Sequence, residues 1–219
     1  MRRLFVLRPQ PAAGRTVERA RALGIDAVAL PLFQLEAIEW MAPEPGQFDA
    51  ILLTSAKAVN LGGEELQRFR SLPVHAVGEA PAVAAEVAGF GIASAGKAGV
   101  DQLLAAIPRA ERLLHLCGED RASDCAAQDI TRISVYRARA IEEVGGLDAL
   151  DGAIVAVHSP RAGRRLAELV AEDSRGAIRV VAISAAAAEA AGGGWQDVRA
   201  ARFPTDEALL ALAARLCDT

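Results

Sequence analysis

Residues 51–59 read ILLTSAKAV, and residues 154–163 read IVAVHSPRAG. Each stretch is a nearly continuous apolar run that reaches a serine and then passes into a segment with helical composition. Such a run is typical of a strand in a parallel sheet that helices cover on both faces, and serine is a favoured N-cap residue. Each stretch therefore predicts a buried parallel strand followed by a helix.

The elements around these two stretches also occur twice. VHAVGEAPAVAAEVAGFG at 74–91 corresponds in outline to RVVAISAAAAEAAGGG at 179–194, and GVDQLLAAI at 99–107 corresponds to PTDEALLAL at 204–212. Any two strand–helix units of an alanine-rich chain look alike, so the spacing between landmarks is the better test. Three pairs have almost the same separation: Ser55 and Ser159 lie 104 residues apart, Gly78 and Ser184 lie 106, and Asp101 and Asp206 lie 105. This register indicates a duplicated α/β domain.

We predict ten strands and assign five to each domain, because the unpaired residues 1–40 then complete the second copy. The strands of the middle domain are predicted at Ala50–Thr54, Val74–Val77, Ile92–Ala95, Leu113–Cys117 and Ile130–Tyr136. Those of the other domain are predicted at Leu4–Arg8, Ala27–Pro31, Ala153–His158, Val180–Ser184 and Val198–Ala201. Helices are predicted at Ala12–Leu23, Ala56–Arg68, Glu79–Ala88, Asp101–Ile107, Pro160–Glu172, Ala185–Ala191 and Asp206–Leu216.

The predicted fold class is α/β, with two similar small, flavodoxin-like parallel-sheet domains joined by a two-stranded hinge. The first domain is discontinuous and combines residues 1–34 with residues 146–219. The second spans residues 48–136, and residues 35–47 and 137–145 are predicted to link the two. Because the first linker contains two prolines and a glycine, it is a plausible hinge, and two linkers permit a cleft that opens and closes around a ligand.

Composition argues against a nucleic-acid partner. The 219 residues carry 24 Lys and Arg against 28 Asp and Glu, and only 4% of them are aromatic. A duplex-binding protein usually has a basic excess, and a single-strand binder usually has aromatic stacking platforms. The apolar tract from Val180 to Gly194 is too short to span a bilayer, so no membrane anchor is predicted.

The three cysteines, Cys117, Cys125 and Cys217, form neither a CxxC pair nor a cluster with histidines. This spacing argues against both a disulfide framework and a zinc site. Reduced thiols in the cytosol are the simpler interpretation. We expect a cytoplasmic monomer that binds a small molecule.

Four predicted strand-to-helix turns are candidate anion sites: Ser55 with Ala56, Gly78 with Glu79, Ser159 with Arg161, and Ser184. The first turn of a helix has free backbone N–H groups, which bind carboxylates and phosphates. The carboxyl ends of parallel strands lie on one side of a sheet, so the four turns are expected to line one crevice if the domains face each other. The alternative interpretation is that each serine is only an N-cap.

No dinucleotide-binding, P-loop or serine-hydrolase motif occurs in the chain. The sequence places no Ser or Cys beside His75, His115 or His158 in a triad-like arrangement, and all three are predicted to be packed or hydrogen-bonded strand residues rather than bases. Tyr136 is the only tyrosine and ends a predicted strand just before the second linker. Its phenol either projects into the cleft as an acid or hydrogen-bond donor, or it is structural.

The succession of LRPQP at 7–11, FDAILLTSAKAV at 48–59, HAVGEAPA at 75–82, VYRA at 135–138 and VHSPRA at 157–162 resembles the uroporphyrinogen-III synthase family. The resemblance extends from Leu4 to Leu216 and implies a two-domain enzyme that needs neither metal nor organic cofactor. It also implies the substrate hydroxymethylbilane, a linear tetrapyrrole with an acetate and a propionate on every ring. The enzyme closes this chain with loss of water and inversion of the last ring.

By this resemblance, Tyr136 matches the family's tyrosine and serves as the acid for the departing hydroxyl, since a phenol with a reference pKa of about 10 is protonated at neutral pH. The four turns hold substrate carboxylates, with Arg8 and Arg161 as additional contacts. Pro81 and Ala187 depart from the family because threonine is usual at both places.

The departures leave a second hypothesis open, a non-catalytic binding or regulatory module of the same fold. A phosphate-ligand transferase is disfavoured because no nucleotide signature is present.

Overall fold

A computed structural model describes residues 2–96, 99–120 and 128–217. The chain forms two compact units, which we call unit 1 (Met1–Gln34 with Arg139–Thr219) and unit 2 (Leu35–Ala138). Each contains a largely parallel sheet covered by helices, so the predicted α/β fold class is confirmed. Cys125 lies outside the described residues.

Within the described ranges the strands are β1 (Leu4–Val6), β2 (Ala27–Ala29), β3 (Phe33–Ala37), β4 (Ala50–Leu53), β5 (Val74–Val77), β6 (Ile92–Gly96), β7 (Arg112–Gly118), β8 (Asp129–Ala140), β9 (Ile154–Val157), β10 (Arg179–Ala182) and β11 (Asp197–Ala200). The α-helices are α1 (Ala12–Ala22), α2 (Ala56–Leu61), α3 (Glu79–Val87), α4 (Val100–Ala106), α5 (Pro160–Leu169), α6 (Ala185–Ala190) and α7 (Asp206–Cys217). Short 3-10 helices occupy Pro45–Gln47, Glu64–Phe69, Leu147–Leu150 and Glu172–Ala177.

The sheet of unit 1 has the strand order β11-β10-β9-β1-β2, and all its pairings are parallel. One core of this unit joins β1 and β9 to α1 and α7 through fully buried residues such as Leu4, Val6 and Leu209. Burial of a leucine-sized side chain contributes about 1.5–3 kcal/mol to folding. These helices are therefore fixed to the central strands, whose carboxyl ends carry the candidate residues.

The sheet of unit 2 has the strand order β3-β8-β7-β4-β5-β6, and the pairings from β8 to β6 are parallel. Its larger core contains the fully buried Phe69, Ile51 and Leu114. A smaller core packs Ala50 and Leu52 against the helix α4. The continuous apolar run at 50–53 is thus buried on both faces, as its composition predicted.

The strand β3 was not predicted, and β8 extends four residues beyond the predicted end at Tyr136. The Ile38 N–H donates to the Val135 carbonyl, and the Ile141 N–H donates to the Leu32 carbonyl, so the two segments run antiparallel. Both segments alternate polar and apolar residues, because they are covered on one face only, and such a pattern is easily taken for a linker. Each of the two strands carries the chain from one unit into the other.

A helix begins at Ala56 as predicted, but its predicted end at Arg68 is wrong, since α2 ends at Leu61. Gly63 has a positive φ of 68°, which breaks the helix before the 3-10 turn Glu64–Phe69 begins. Glycine reaches this left-handed region without the strain that a side chain would add. The helix after Ser55 is therefore short.

In the described ranges no helix has the length and apolarity required to cross a membrane. Cys117 and Cys217 are both buried.

Candidate functional site

Ser55 caps the first candidate turn of unit 2. Its backbone is extended, with φ −154° and ψ 135°, and its Oγ accepts a hydrogen bond from the Lys57 N–H at 3.2 Å. The serine follows β4, which lies between β5 and β7 in the sheet. The turn at Ser55 and Ala56 therefore lies at the carboxyl edge near the centre of the sheet, where ligands of parallel α/β sheets commonly bind.

The second turn of unit 2 has no side-chain cap. Gly78 has φ 99° and precedes α3, which begins with Glu79. The third residue of the helix is Pro81, which lacks an N–H group. Only Glu79 and Ala80 therefore offer amides in this turn, because the proline replaces the third donor.

Tyr136 lies beside the Ser55 turn. Its ring covers Gly118 at the end of β7, where an added Cβ would lie 2.7 Å from the tyrosine Cζ. The Lys57 ammonium lies 5.9 Å from the centroid of the same ring, within the range of a cation–π contact. The phenol is half-buried among residues of the larger core. Unit 2 thus brings together a phenol, an ammonium and a capped helix turn.

Two serines cap the candidate turns of unit 1. The Ser159 Oγ accepts from the Ala162 N–H at 3.1 Å, and the Ser184 Oγ accepts from the Ala187 N–H at 3.3 Å. Both serines are extended, and they follow the adjacent strands β9 and β10. The two turns therefore stand side by side at the carboxyl edge of the sheet in unit 1.

Gly163 sets the distance between the two helices that these serines cap. A Cβ on Gly163 would lie 2.8 Å from the Ala187 carbonyl oxygen and 2.9 Å from the Ala191 nitrogen. Both atoms belong to the backbone at α6, so they cannot turn aside as a side chain would. The glycine allows α5 and α6 to pack with their backbones in contact.

Arg161 lies in the first turn of α5. Its guanidinium carbon is 4.6 Å from the centroid of the Phe33 ring, which makes a cation–π contact at the start of β3. The arginine is half-exposed. Its contact to Phe33 holds the cation close to the helix terminus that Ser159 caps.

Arg8, two residues after β1, makes an ion pair that the sequence did not predict. Its Nη1 lies 3.3 Å from Oδ1 of Asp206 and 3.4 Å from Oγ1 of Thr16. Asp206 is the first residue of α7 and is nearly buried. The same carboxylate accepts the Thr16 hydroxyl at 2.7 Å, Nη1 of Arg19 at 2.8 Å and Nε2 of His158 at 2.9 Å.

The surroundings of Asp206 keep it ionised. Burial by itself would raise the pKa of this carboxyl, but the hydrogen bonds from His158 and Thr16 and the nearby charges lower the pKa below its ordinary value. Burial lowers the pKa of the Arg8 guanidinium, and Asp206 opposes that effect. Because an ionised Asp206 can only accept, the hydrogen bond between the two side chains requires a proton on Nε2 of His158. The buried Nδ1 of His158 has no hydrogen-bond partner among the described residues.

This network predicts an acid-sensitive contribution to folding. A carboxyl whose pKa is lower in the folded chain contributes fully above its unfolded pKa of about 3.9, and the contribution is lost as the pH falls toward the folded value. Urea unfolding of the wild type should therefore show falling stability below about pH 4, and Asp206→Asn should reduce that dependence. The exposed ion pair of Asp26 with Arg3 supplies the control: Asp26→Asn should follow the wild type, and an unchanged pH dependence in Asp206→Asn would contradict the assignment.

His75 is a hydrogen-bonded strand residue, as predicted, and its partners are distant in sequence. The Ser94 Oγ lies 2.7 Å from its Nδ1, and Oε1 of Glu111 lies 3.0 Å from its Nε2. Ser94 is 19 residues away in sequence but faces His75 in the pairing of β5 with β6. Because Glu111 precedes β7, these hydrogen-bonded side chains lie toward the amino edge of the sheet, opposite the candidate turns. His115 bonds Thr54 at 3.2 Å, as a packed strand residue.

The candidate residues form two groups. Unit 2 contains Ser55, Ala56, Gly78, Glu79 and Tyr136, and unit 1 contains Arg8, Ser159, Arg161 and Ser184. The sequence did not point to the Lys57 ammonium, to Gly118 or to the Asp206 carboxylate as site groups, because their roles depend on which strands become neighbours. Across residues 2–96, 99–120 and 128–217, no cluster of three or more His, Cys, Asp or Glu side chains is arranged to hold a metal ion.

One family model and several solved structures are similar to this chain. The family model described as uroporphyrinogen-III synthase HemD matches residues 14–211. The chain is similar to the crystal structure of uroporphyrinogen-III synthetase from Helicobacter pylori, with 17% identity, a TM-score of 0.71, and coverage of 99% of this chain and 100% of that one. It is also similar to a mutant uroporphyrinogen III synthase from Thermus thermophilus, with 16% identity, a TM-score of 0.52 and 100% of both chains covered. At these identities the two structures support the fold alone. Comparison with curated proteins gave no match.

Proposed function

This chain belongs to the uroporphyrinogen-III synthase family, and we propose from that premise how its residues perform the family's reaction. The reaction closes hydroxymethylbilane to uroporphyrinogen III, with loss of water and inversion of the last pyrrole ring. Closure without inversion occurs spontaneously, so the enzyme must hold the substrate in the geometry that leads to the inverted product. The extent of the family match carries the assignment.

The substrate's acetates and propionates bind at the carboxyl edge of each sheet. Ser55 with Ala56 and Gly78 with Glu79 supply helix amides in unit 2, and Ser159 and Ser184 supply them in unit 1. A helix N-terminus contributes about 0.3–1 kcal/mol per anion at the surface and up to about 2 kcal/mol where it is partly buried. Several such contacts are therefore needed, and the carboxylates on every ring supply the matching groups.

Two arginines of unit 1 add positive charge near these helix N-termini. The guanidinium of Arg161 is held near the Ser159 turn by Phe33. Arg8 lies two residues after β1, which pairs with β9. Each can bind a carboxylate through a two-pronged hydrogen bond, which fixes orientation as well as affinity.

Tyr136 acts on the departing hydroxyl of the substrate. The phenol donates its proton as that hydroxyl leaves as water, and the methylene of the resulting azafulvene bonds to a substituted carbon of the last ring. The spiro intermediate then breaks the older methylene bond to that carbon. The released methylene bonds to the other, unsubstituted end of the ring, which loses a proton, so the ring is inverted in the product. The ring of Tyr136 is fixed against Gly118, which supports a defined hydroxyl position. The Lys57 ammonium near the ring adds positive charge where the substrate's carboxylates approach.

The decisive experiment measures turnover of hydroxymethylbilane and identifies the ring isomer of the product. The expected result is uroporphyrinogen III, formed faster than the symmetric isomer that appears in a reaction without protein. A chain that yields only the symmetric isomer at the spontaneous rate would instead support a binding or regulatory module. The lost hydroxyls at Pro81 and Ala187 are the observation behind that alternative.

The protein is further proposed to act in the cytosol as a monomer, without nucleic-acid partners. The formal net charge of −4 supports the last part, because phosphate backbones repel an acidic chain.

A further inference from the structure

Asp206 has no role in the reaction described so far, although it contacts Arg8, which has one. It is nearly buried at the start of α7, and it accepts hydrogen bonds from Thr16, Arg19 and His158 besides its ion pair with Arg8. A buried carboxylate with this many donors has a fixed position, because any movement would leave several polar groups without partners. Asp206 is therefore a rigid negative charge at the carboxyl edge of unit 1.

The contact of Arg8 to this charge occupies only one end of its guanidinium. Nη1 alone is shared between Asp206 and Thr16, at 3.3 Å and 3.4 Å. Among the described residues, none hydrogen-bonds its Nε or Nη2, and a third of the side chain is exposed. The guanidinium has five donors in a planar fork, so the unoccupied edge can still bind a carboxylate with two parallel hydrogen bonds.

We infer that Asp206 is a positioning residue that holds Arg8, with its free edge presented, for a carboxylate of the substrate. This inference rests on the proposed function. A free arginine side chain samples many rotamers, and a ligand that immobilises it loses affinity in doing so. Asp206 restricts the Arg8 side chain before any substrate binds. The Thr16 hydroxyl, on α1, donates to the Asp206 carboxylate and holds it in place. The distance of 3.3 Å is long for a charge-assisted bond, so Arg8 remains available to a second anion.

The test is a double-mutant cycle on turnover of hydroxymethylbilane, with Arg8→Gln, Asp206→Asn and the double variant. If Asp206 acts through Arg8, each single change should raise KM by about tenfold or more, as expected for loss of a charged hydrogen bond, and should leave kcat within about twofold. The KM of the double variant should then be no higher than that of the more impaired single variant, because the same interaction is removed only once. A KM unchanged in Asp206→Asn, or multiplied effects in the double variant, would overturn the inference.

A matched control comes from the residue that precedes β1. Arg3 pairs with Asp26 before the other end of β1, at 2.8 Å and largely exposed, so Arg3→Gln should leave KM unchanged. If Asp206→Asn does not fold, Thr16→Val tests the same point with all charges kept. It should raise KM by about threefold, the size of one neutral hydrogen bond, and an unchanged KM would count against the inference. A wild-type chain that makes no inverted product would overturn the proposed function together with it, whereas normal turnover with unaffected variants would overturn the inference alone.

Discussion

Tyr136→Phe is expected to lower kcat about 100-fold, the lower end of what a positioned general acid contributes. The reason is that phenylalanine keeps the ring against Gly118 but has no proton for the departing hydroxyl. KM should stay within about twofold, because the carboxylate contacts are unchanged. The measurement is the rate of uroporphyrinogen III formation, with the thermal midpoint recorded to confirm folding. Full inverted-ring synthesis by this variant would remove the acid assignment and leave the fold argument intact.

Gly118→Ala provides a second route to the same conclusion, because it keeps the hydroxyl and moves it. The new Cβ would lie 2.7 Å from Cζ and 2.8 Å from Cε2 of Tyr136, so the ring must shift. A displacement of this kind can cost about 100-fold in rate even when every reacting group remains. Gly91→Ala is the matched control in the same unit, because nothing lies within 4 Å of its added Cβ. Full activity in Gly118→Ala as well as in Gly91→Ala would show that the reaction rate does not depend on the position of the Tyr136 phenol.

Gly163→Val is expected to give the largest loss of stability, about 3 kcal/mol, at the upper end of the usual cost of overpacking. The branched side chain must enter a space where even a Cβ would lie within 3 Å of the backbone at α6. For a chain of this length, that loss corresponds to a fall of roughly 6–12 °C in Tm. Because valine would push α5 and α6 apart, and Ser159 and Ser184 cap these two helices, the variant should also have a higher KM.

Gly14→Ala in α1 is the control that separates helix propensity from packing. Its added Cβ would meet only the Gln10 side-chain oxygen, at 3.3 Å. This oxygen accepts a hydrogen bond from the Gly14 N–H at 3.0 Å, but it ends a flexible, exposed side chain that can shift by a few tenths of an ångström. Alanine is favoured over glycine in a helix by about 0.8–1 kcal/mol, so this variant should be slightly more stable than the wild type. Equal effects at the two glycines would show that contact between α5 and α6 does not limit stability.

The parts of this fold that sequence patterns predict are those where one local rule decides the structure. The runs at 51–53 and 154–157 are fully buried strands because nothing polar interrupts them, and Ser55 and Ser159 cap helices because each follows such a run. The strand β3 escapes the same rule because Gln34 and Glu36 alternate with apolar residues in it.

Contacts that depend on strand register could not be predicted in this way. Ser94 meets His75, and Lys57 lies over Tyr136, only because particular strands become neighbours. The ion pair of Arg8 with Asp206 joins residues 198 positions apart and follows no local pattern. The residue types at these positions are ordinary, and only their juxtaposition makes them informative.

The strand order of unit 1 has a consequence for the order of events during translation. β1 pairs with β2 on one side and with β9 on the other, yet β9 begins only at Ile154. At about 5–20 residues per second, this partner emerges from the ribosome roughly 6–25 s after β2. In that interval an apolar strand edge lacks its neighbour while Leu35–Ala138 is completed. The nascent chain is thus most exposed to aggregation through its first thirty-odd residues, and the continuous central segment is the part able to fold first.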